Sequence, residues 1–196
     1  MRRVEPAAGM QRELVELAIT GDREAFTQLV DASIDRLYAA ASLILRDSDR
    51  AQDAVQEALI SAWRDVRSLR DPAAWEAWLH RLTVWACYRV ARKERRRNVI
   101  ELQVVADRRA SEAHDHSDAV VERDLLTRGL SDLPIDQRAV IVLHFYLDRP
   151  ATEVAEILGI PVGTAKSRLQ RGLAALRVAM DREPEAALRR AREGAA

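Results

Sequence analysis

Cysteine, glycine and proline are scarce in this chain of 196 residues, and its positive and negative charges balance. Its single cysteine, Cys87, excludes an intramolecular disulfide and is typical of a protein in a reducing cytosol. Only 7 glycines and 6 prolines occur, while alanine, leucine, arginine and glutamate recur, which favours helices. The formal net charge of +0 argues against a protein that coats DNA with its whole surface, but it permits local basic patches.

Long apolar segments are also missing. The first 14 residues carry cations with no apolar run behind them, so we expect no signal peptide. No uncharged apolar stretch is long enough to span a bilayer, so we expect no membrane insertion and a cytoplasmic location. Hydrophobic residues still make up 48% of the chain, which is enough for a packed core.

Apolar residues recur at helical spacing over most of the chain. The spacing predicts helices over 14–19 and 26–45, a third over about 51–66 and a fourth from about residue 73. Asp22 and Asp71 precede two of these runs and are predicted N-caps. The segment 98–105 comes nearest to a strand pattern and is too isolated to form a sheet. We therefore expect an all-α fold.

The composition divides the chain into two small helical domains. Segment 98–119 is polar and predicts a flexible linker, after which helical periodicity returns at Val120. We expect an N-terminal domain over 10–97, a C-terminal domain over 120–182 and a tail over 183–196.

The stretch ATEVAEILGIPVGTAKSRLQRGLAAL, residues 151–176, predicts a helix, an interruption and a second helix. On the second helix, one face that we expect to be buried carries Ala165, Leu169, Leu173 and Leu176. The other side and its flanks are polar and basic: Thr164, Lys166, Ser167, Arg168, Gln170 and Arg171. A helix-turn-helix needs this arrangement, because its second helix reads base edges in the major groove while flanking cations contact phosphates. An ordinary amphipathic hairpin with a solvated charged face has the same spacing.

The fourth predicted helix carries a basic stripe that includes an aromatic residue. Arg81, Tyr88, Arg92 and Arg95 fall on one side, and RKERRR, residues 92–97, adds Arg96. Such a stripe suits melted DNA, since arginines contact phosphates and an unstacked base can lie on the tyrosine ring. A basic helix end that complements the helix dipole is the alternative.

The third predicted helix has an apolar residue among charges on the side away from the core. That side carries Asp53, Glu57, Ile60, Ser61 and Arg64. An exposed isoleucine in such surroundings indicates a protein contact, although a solvated face with one stray isoleucine is also common.

Two segments resemble one known family. Residues 133–177, LPIDQRAVIVLHFYLDRPATEVAEILGIPVGTAKSRLQRGLAALR, resemble the C-terminal DNA-binding domain of bacterial sigma factors of the extracytoplasmic-function (ECF) group. Regulators with LuxR-type domains share a looser version. AQDAVQEALISAWRDV, residues 51–66, and WEAWLHRL, residues 75–82, resemble the N-terminal domain of the same group. The resemblance covers roughly 22–97 and 130–180, most of the chain.

The resemblance implies a function for each stripe. The protein would join core RNA polymerase and direct it to promoter DNA, in response to a stress or envelope signal and under the control of an anti-sigma factor. The third helix would meet the polymerase clamp, the fourth would open the minus-ten element, and the C-terminal domain would bind the minus-thirty-five element.

The fourth helix departs from the family's pattern. Where the group usually has Asn and Asp, this chain has Trp85 and Arg89, which we expect toward the flank of the buried face. The minus-ten base preference is therefore not carried over. Trp63, Trp75 and Trp78 are predicted core residues.

The sequence shows no pattern that supports catalysis or a cofactor. It has no glycine-rich phosphate loop, no metal-ligand cluster at workable spacing and no nucleophile with a base. His114 and His116 lie in the predicted linker, with no other ligands nearby. We expect no enzyme activity, no cofactor and no metal. A stand-alone LuxR-like regulator, a protein-binding helical adaptor and an enzyme with an uncharged helical pocket are the alternatives.

Overall fold

The computed structural model describes the backbone of residues 8–104, 130 and 133–193, and the side chains of 9–96, 130 and 133–179. Every regular element within these ranges is helical, as the sequence predicts. The N-terminal helices are α1 (Ala8–Thr20), α2 (Arg23–Leu45), α3 (Ser48–Asp65) and α4 (Trp75–Val104). The C-terminal helices are α5 (Ile135–Ile141), extended by a π-helical turn (Val142–Tyr146), α6 (Ala151–Leu158) and α7 (Val162–Glu193). Two short 3-10 turns, Val66–Ser68 and Pro72–Ala74, connect α3 to α4.

Aspartates begin the N-terminal helices. The Asp22 carboxylate accepts hydrogen bonds from the backbone N–H groups of Glu24 (2.8 Å) and Ala25 (3.1 Å). Asp71 accepts one from Ala73 at 3.0 Å, with Pro72 in the first helical position. Both predicted caps are confirmed. Each cap pairs a backbone donor that the helix itself leaves unsatisfied.

Small residues let the N-terminal helices approach closely. The side of α3 that faces α2 and α4 is rich in alanine, and Ala51, Ala54, Ala58 and Ala62 are fully buried. Larger side chains from the neighbouring helices fill the space, among them Leu29, Leu37, Ile44, Trp75 and Leu79. The resulting core holds α3 and α4 in a fixed relation, so that the outer faces of both helices are presented by one rigid body.

Two glycines shape the C-terminal helices. Gly159 ends α6 with a φ of 66°, a left-handed conformation that favours glycine, and so turns the chain toward α7. A Cβ atom at Gly172 would lie 2.8 Å from Cδ1 of Ile141, so glycine allows α7 to pack closely on α5. The α6–α7 pair is therefore a helix-turn-helix, as the sequence predicts.

The C-terminal helices pack against the N-terminal ones. Helix α6 contacts α4, and α5 with its π-helical turn contacts α2. Leu43 of α2 also packs against the C-terminal cluster of Leu130, Leu133, Ile141 and Leu176. The apolar core is thus continuous between the two sets of helices.

Helix α4 passes the predicted domain boundary at residues 97 and 98 and continues to Val104. No glycine or proline interrupts the sequence there, so the backbone hydrogen bonds of the helix can continue. The remainder of the predicted linker, 105–119, lies outside the described residues. Among the described helices, none is long and apolar enough to cross a membrane.

Candidate functional site

The first turns of α7 present polar and basic side chains away from the core. Ala165 is buried against the other helices, and Leu169 is half-buried. Lys166, Gln170 and Arg171 are exposed. The buried and exposed sides of the predicted DNA-reading helix are therefore arranged as its periodicity indicates.

The side chains of three of the six predicted DNA-binding residues on α7 are engaged in contacts within the protein. The Ser167 hydroxyl donates to the Thr164 carbonyl at 3.0 Å, and Arg171 Nε donates to the Ser167 carbonyl at 3.2 Å. Arg168 forms an ion pair with Asp136 of α5 at 3.2 Å, and only 24% of its side chain is exposed. Arg171 is therefore better placed than Arg168 to reach a base edge.

The predicted stripe on α4 has exposed arginines and a largely buried tyrosine. Arg81, Arg92, Arg95 and Arg96 are all exposed. The Tyr88 hydroxyl is buried and has no hydrogen-bond partner among the described residues. Burial raises the pKa of Tyr88, and the nearby charge of Asp136 raises it further. With its hydroxyl buried and the residue half-buried, Tyr88 is less accessible to a base than an exposed aromatic side chain.

The exposed aromatic residue of the α4 stripe is Trp85. Its side chain is 41% exposed, and its ring meets the Tyr88 ring edge-on, with centroids 6.1 Å apart. Arg89 is also exposed and pairs with Glu57 of α3 at 2.6 Å. The prediction that Trp85 and Arg89 lie toward the flank of the buried face is wrong. Trp85 is four residues from both Arg81 and Arg89, a spacing that places all three on one side of a helix.

The other tryptophans differ in burial. Trp75 is fully buried, and Trp78 is half-buried beside it with ring centroids 5.6 Å apart. Trp63 is 36% exposed, so its prediction as a core residue holds only for the edge that packs on Phe26, at 5.0 Å between centroids. Its other side borders a groove between α2 and α3.

The α3 surface, Asp53, Glu57, Ile60, Ser61 and Arg64, combines apolar and charged groups. Ile60 is 60% exposed, at the edge of the α2–α3 groove. Ile34 and Tyr38 of α2 line the same groove. The sequence reasoning missed these two residues because they belong to a different helix, and periodicity relates only residues within one helix. Arg64 is bound to its neighbour Asp65 through two hydrogen bonds of 3.0 Å.

Comparison with known proteins assigns both halves of the chain to one family. A model of sigma-70 region 2 matches residues 29–97, and a model of sigma-70 region 4 matches residues 123–176. The ECF RNA polymerase sigma factor SigM of Mycobacterium tuberculosis is 36% identical over 167 residues, which cover 84% of this chain and 81% of SigM. SigW of Bacillus subtilis, another ECF sigma factor, is 31% identical over 86% of this chain and 95% of SigW.

The fold is similar to that of a solved sigma factor. RpoE of Bartonella quintana, crystallised with the anti-sigma factor NepR, superposes with a TM-score of 0.65 and 26% identity, over 81% of this chain and 98% of that one. The chain belongs to the ECF group of RNA polymerase sigma factors. This sigma factor is therefore a transcription initiation factor, and a LuxR-like stand-alone regulator is not favoured.

The described part of the sigma factor offers no group of three or more metal-ligating side chains. His114 and His116 lie outside the described residues. The thiol of Cys87 is buried, and burial raises its pKa to about 12, so it is poorly reactive. The surfaces that remain as candidates are the α3 surface, the α4 stripe and the first turns of α7.

Proposed function

We propose that this sigma factor binds core RNA polymerase through the α3 surface, opens the minus-ten element with the α4 stripe, and binds the minus-thirty-five element with α7. The observation that supports this most directly is the presence of an exposed basic stripe on α4 in addition to the helix-turn-helix. A regulator that binds one duplex site needs only the α6–α7 pair. A second, aromatic-containing basic surface is needed when the protein also holds a separated strand.

The polymerase contact is supported by the α2–α3 groove. Ile60 and Trp63 are exposed apolar side chains next to charged ones, which is the composition of a protein-binding surface with an apolar centre and a polar rim. Glu57 is paired with Arg89 and Arg64 is paired with Asp65, so we expect Asp53 to supply the most available charge at the rim. The clamp of the largest polymerase subunit is the partner that the family resemblance implies for this face.

The contact with the melted minus-ten strand is best supported for Arg81, Trp85 and Arg92. All three are exposed on one side of α4. The arginines supply phosphate contacts, and the indole supplies an open ring face for a base. Tyr88 supports Trp85 from one edge in this arrangement.

Regulation by a sequestering partner is part of the proposal. The similar RpoE structure holds an anti-sigma factor, and the present chain has two separate surfaces that such a partner would need to cover. Purification of the tagged protein from its own cells should then yield an anti-sigma factor as well as polymerase subunits. Recovery of polymerase alone, under inducing and non-inducing conditions alike, would contradict this part. We place the protein in the cytoplasm, with the polymerase, and assign it no catalytic step of its own.

Run-off transcription tests the proposed function directly. Purified core polymerase with this protein should initiate from a subset of a randomised promoter library, and those templates should share two sequence blocks. Core polymerase alone is the control. A protein that binds duplex DNA from the same library but never yields transcripts with core polymerase would instead be a stand-alone regulator.

A further inference from the structure

Arg89 lies on the side of α4 that is proposed to hold the melted strand. Its side chain is exposed, and so is Trp85, four residues before it on the same helix. Residues at this spacing are neighbours on a helix surface, with about 5–6 Å between their Cβ atoms. A base that stacks on the Trp85 indole therefore comes within reach of the Arg89 side chain.

Glu57 of α3 orients the Arg89 side chain. Nε of Arg89 donates a hydrogen bond to Oε1 of Glu57 at 2.6 Å, and the two side chains are 48% and 46% exposed. Solvent screens an ion pair this exposed, so the pair is weak, but it favours one orientation of the guanidinium. Among the described residues, Glu57 is the only hydrogen-bond or ion-pair partner of Arg89. The terminal nitrogens Nη1 and Nη2 are therefore available to a ligand.

The terminal edge of a guanidinium selects ligands by geometry. It is a planar fork of N–H donors, and it pairs best with two acceptors that lie side by side, such as O6 and N7 of guanine. Adenine has the N6 amino donor beside N7, and in thymine an N–H donor separates the two carbonyl oxygens. Unpaired cytosine offers O2 and N3, but its single ring covers less of an indole than a purine does. Guanine therefore fits both the fork and the ring.

A base edge suits Arg89 better than a phosphate does. The carboxylate of Glu57 offsets the positive charge of Arg89, which weakens its attraction for a phosphate but leaves the directional donors of the fork in place. Arg81 and Arg92 are exposed on the same helix and have no hydrogen-bond or ion-pair partner in the part of the chain that the structure describes. These two cations are better suited to phosphates, which position the strand, whereas contacts to base edges specify its sequence.

We propose that Arg89 reads a guanine stacked on Trp85, through hydrogen bonds to its O6 and N7 atoms, and that Glu57 positions Arg89 for this contact. The inference rests on the proposed function, because it names the base that the strand-binding side of α4 selects. Trp85 and Arg89 occupy the two positions at which the fourth helix departs from the family's pattern. The preference for guanine is therefore expected from this chain's own residues.

Promoters that differ at one base test the assignment. In holoenzyme, 2-aminopurine at successive positions of a promoter selected by run-off transcription locates the base whose fluorescence is quenched by Trp85 and not by Trp85→Ala. Each of the four bases is then placed there in a promoter whose minus-ten element is already unpaired. Holoenzyme should bind guanine about ten-fold more tightly than the other bases, as expected for one bidentate contact. Hypoxanthine keeps O6 and N7 and should bind like guanine, whereas 7-deazaguanine lacks N7 and should lose most of the preference.

Two arginine variants distinguish base reading from a phosphate contact. Arg89→Lys keeps the charge and loses the fork, so it should bind the four bases within about two-fold of one another. Arg81→Ala removes the matched exposed cation on the other side of Trp85. It should weaken binding of all four bases alike, reduce the salt dependence and keep the preference for guanine.

Two acidic residues of α3 test the positioning role. Glu57→Gln should reduce the preference for guanine about two- to five-fold, because it weakens the exposed pair that orients the fork. It should have no further effect on the preference when Arg89→Lys is already present. Asp49→Asn, at an exposed acidic position of the same helix, should keep the preference. Because each preference is a ratio within one holoenzyme, a change in polymerase affinity does not alter it.

Each outcome decides for or against the assignment. The absence of any base quenched by Trp85, equal binding of the four bases, a preference for cytosine, a preference that survives Arg89→Lys, or one that is lost in Arg81→Ala would each overturn it. An unchanged preference in Glu57→Gln would overturn the positioning role. Run-off transcription separates these failures from that of the proposed function. Wild-type protein that initiates without a base preference contradicts the reading of guanine alone, whereas protein that never initiates with core polymerase contradicts the proposed function.

Discussion

Trp85 packs edge-on against Tyr88, with 6.1 Å between ring centroids and 81° between ring planes. The contact fixes the indole while 41% of it stays exposed, and it uses the tyrosine as a support. A ring that is already immobilised loses little freedom when a base stacks on it. Trp85 is therefore the residue of α4 best prepared to hold an unstacked base.

Trp85→Ala should weaken binding of the melted minus-ten strand by about 1–3 kcal/mol, the range for one base–aromatic stack. Trp85→Phe should retain most of the binding, because a ring face remains. The measurement is fluorescence of 2-aminopurine placed at successive positions of a promoter selected by run-off transcription. Tyr146→Ala, an exposed aromatic outside the α4 stripe, is the control. If every position is quenched equally with and without Trp85, the stacking role is wrong.

Arg171 and Lys166 should affect DNA binding differently. Arg171→Ala should cost about 1–3 kcal/mol on the cognate minus-thirty-five duplex and relax specificity at one base pair, as expected for a lost base contact. Lys166→Ala should weaken all sequences alike and reduce the salt slope by about 1, since it removes a phosphate contact. Gel-shift titrations of the holoenzyme on matched and mismatched sites measure both effects.

Arg177→Ala, an exposed cation later on the same helix, is the matched control for this pair. We expect it to leave specificity unchanged. Equal losses on every sequence for Arg171→Ala would reassign that residue to phosphate.

Ile60→Glu should disrupt polymerase binding and leave the fold intact. Ile60 is 60% exposed, so the free energy of unfolding should change by no more than about 0.5 kcal/mol. At an apolar contact, however, the unpaired carboxylate should cost about 2–4 kcal/mol of binding energy. Co-elution with core polymerase and abortive transcription measure the loss. Leu17→Glu, on an exposed position of α1, is the control. A variant that folds, binds and initiates like wild type would remove the α3 surface from the polymerase interface.

The sequence predicted what depends on neighbours within one helix. The helical periodicity of α7 placed Ala165 in the core and Lys166 in solvent. Aspartate N-caps marked the starts of α2 and of the 3-10 turn at Pro72. The surroundings of Tyr88 were not predictable in this way, because they include Asp136 and Arg168 from a distant part of the chain. The Glu76–Arg149 pair joins residues 73 positions apart, which no periodicity relates. Trp85 is different, since its spacing from Arg81 would have placed it correctly.

The stability of the protein at mildly acidic pH should depend on His80, which is only 5% exposed. The pKa of His80 is lowered from an ordinary 6.5 to about 4, chiefly by burial. The charges of Arg149 and Arg36 contribute to this lowering, and the charge of Glu76 opposes it. The unfolded chain therefore takes up this proton near pH 6.5, whereas the folded chain stays neutral until about pH 4. The free energy of unfolding should fall as the pH drops from 6.5 to 4 and then level off, by about 3 kcal/mol in total.

Urea unfolding followed by circular dichroism between pH 7 and pH 4 measures this loss. His80→Gln should flatten the profile over that range, because no proton is then taken up on unfolding at this position. The variant Glu76→Gln isolates the contribution of Glu76 to the pH dependence of the free energy of unfolding. Burial alone would raise the Glu76 pKa, but the hydrogen bond and charge of Arg149 outweigh it and lower the pKa below 4.5. The stability due to Glu76 is therefore present above pH 4.5 and is lost only as the pH falls below it. A His80→Gln protein that still loses stability between pH 6.5 and pH 5 as steeply as wild type would show that another group carries the effect.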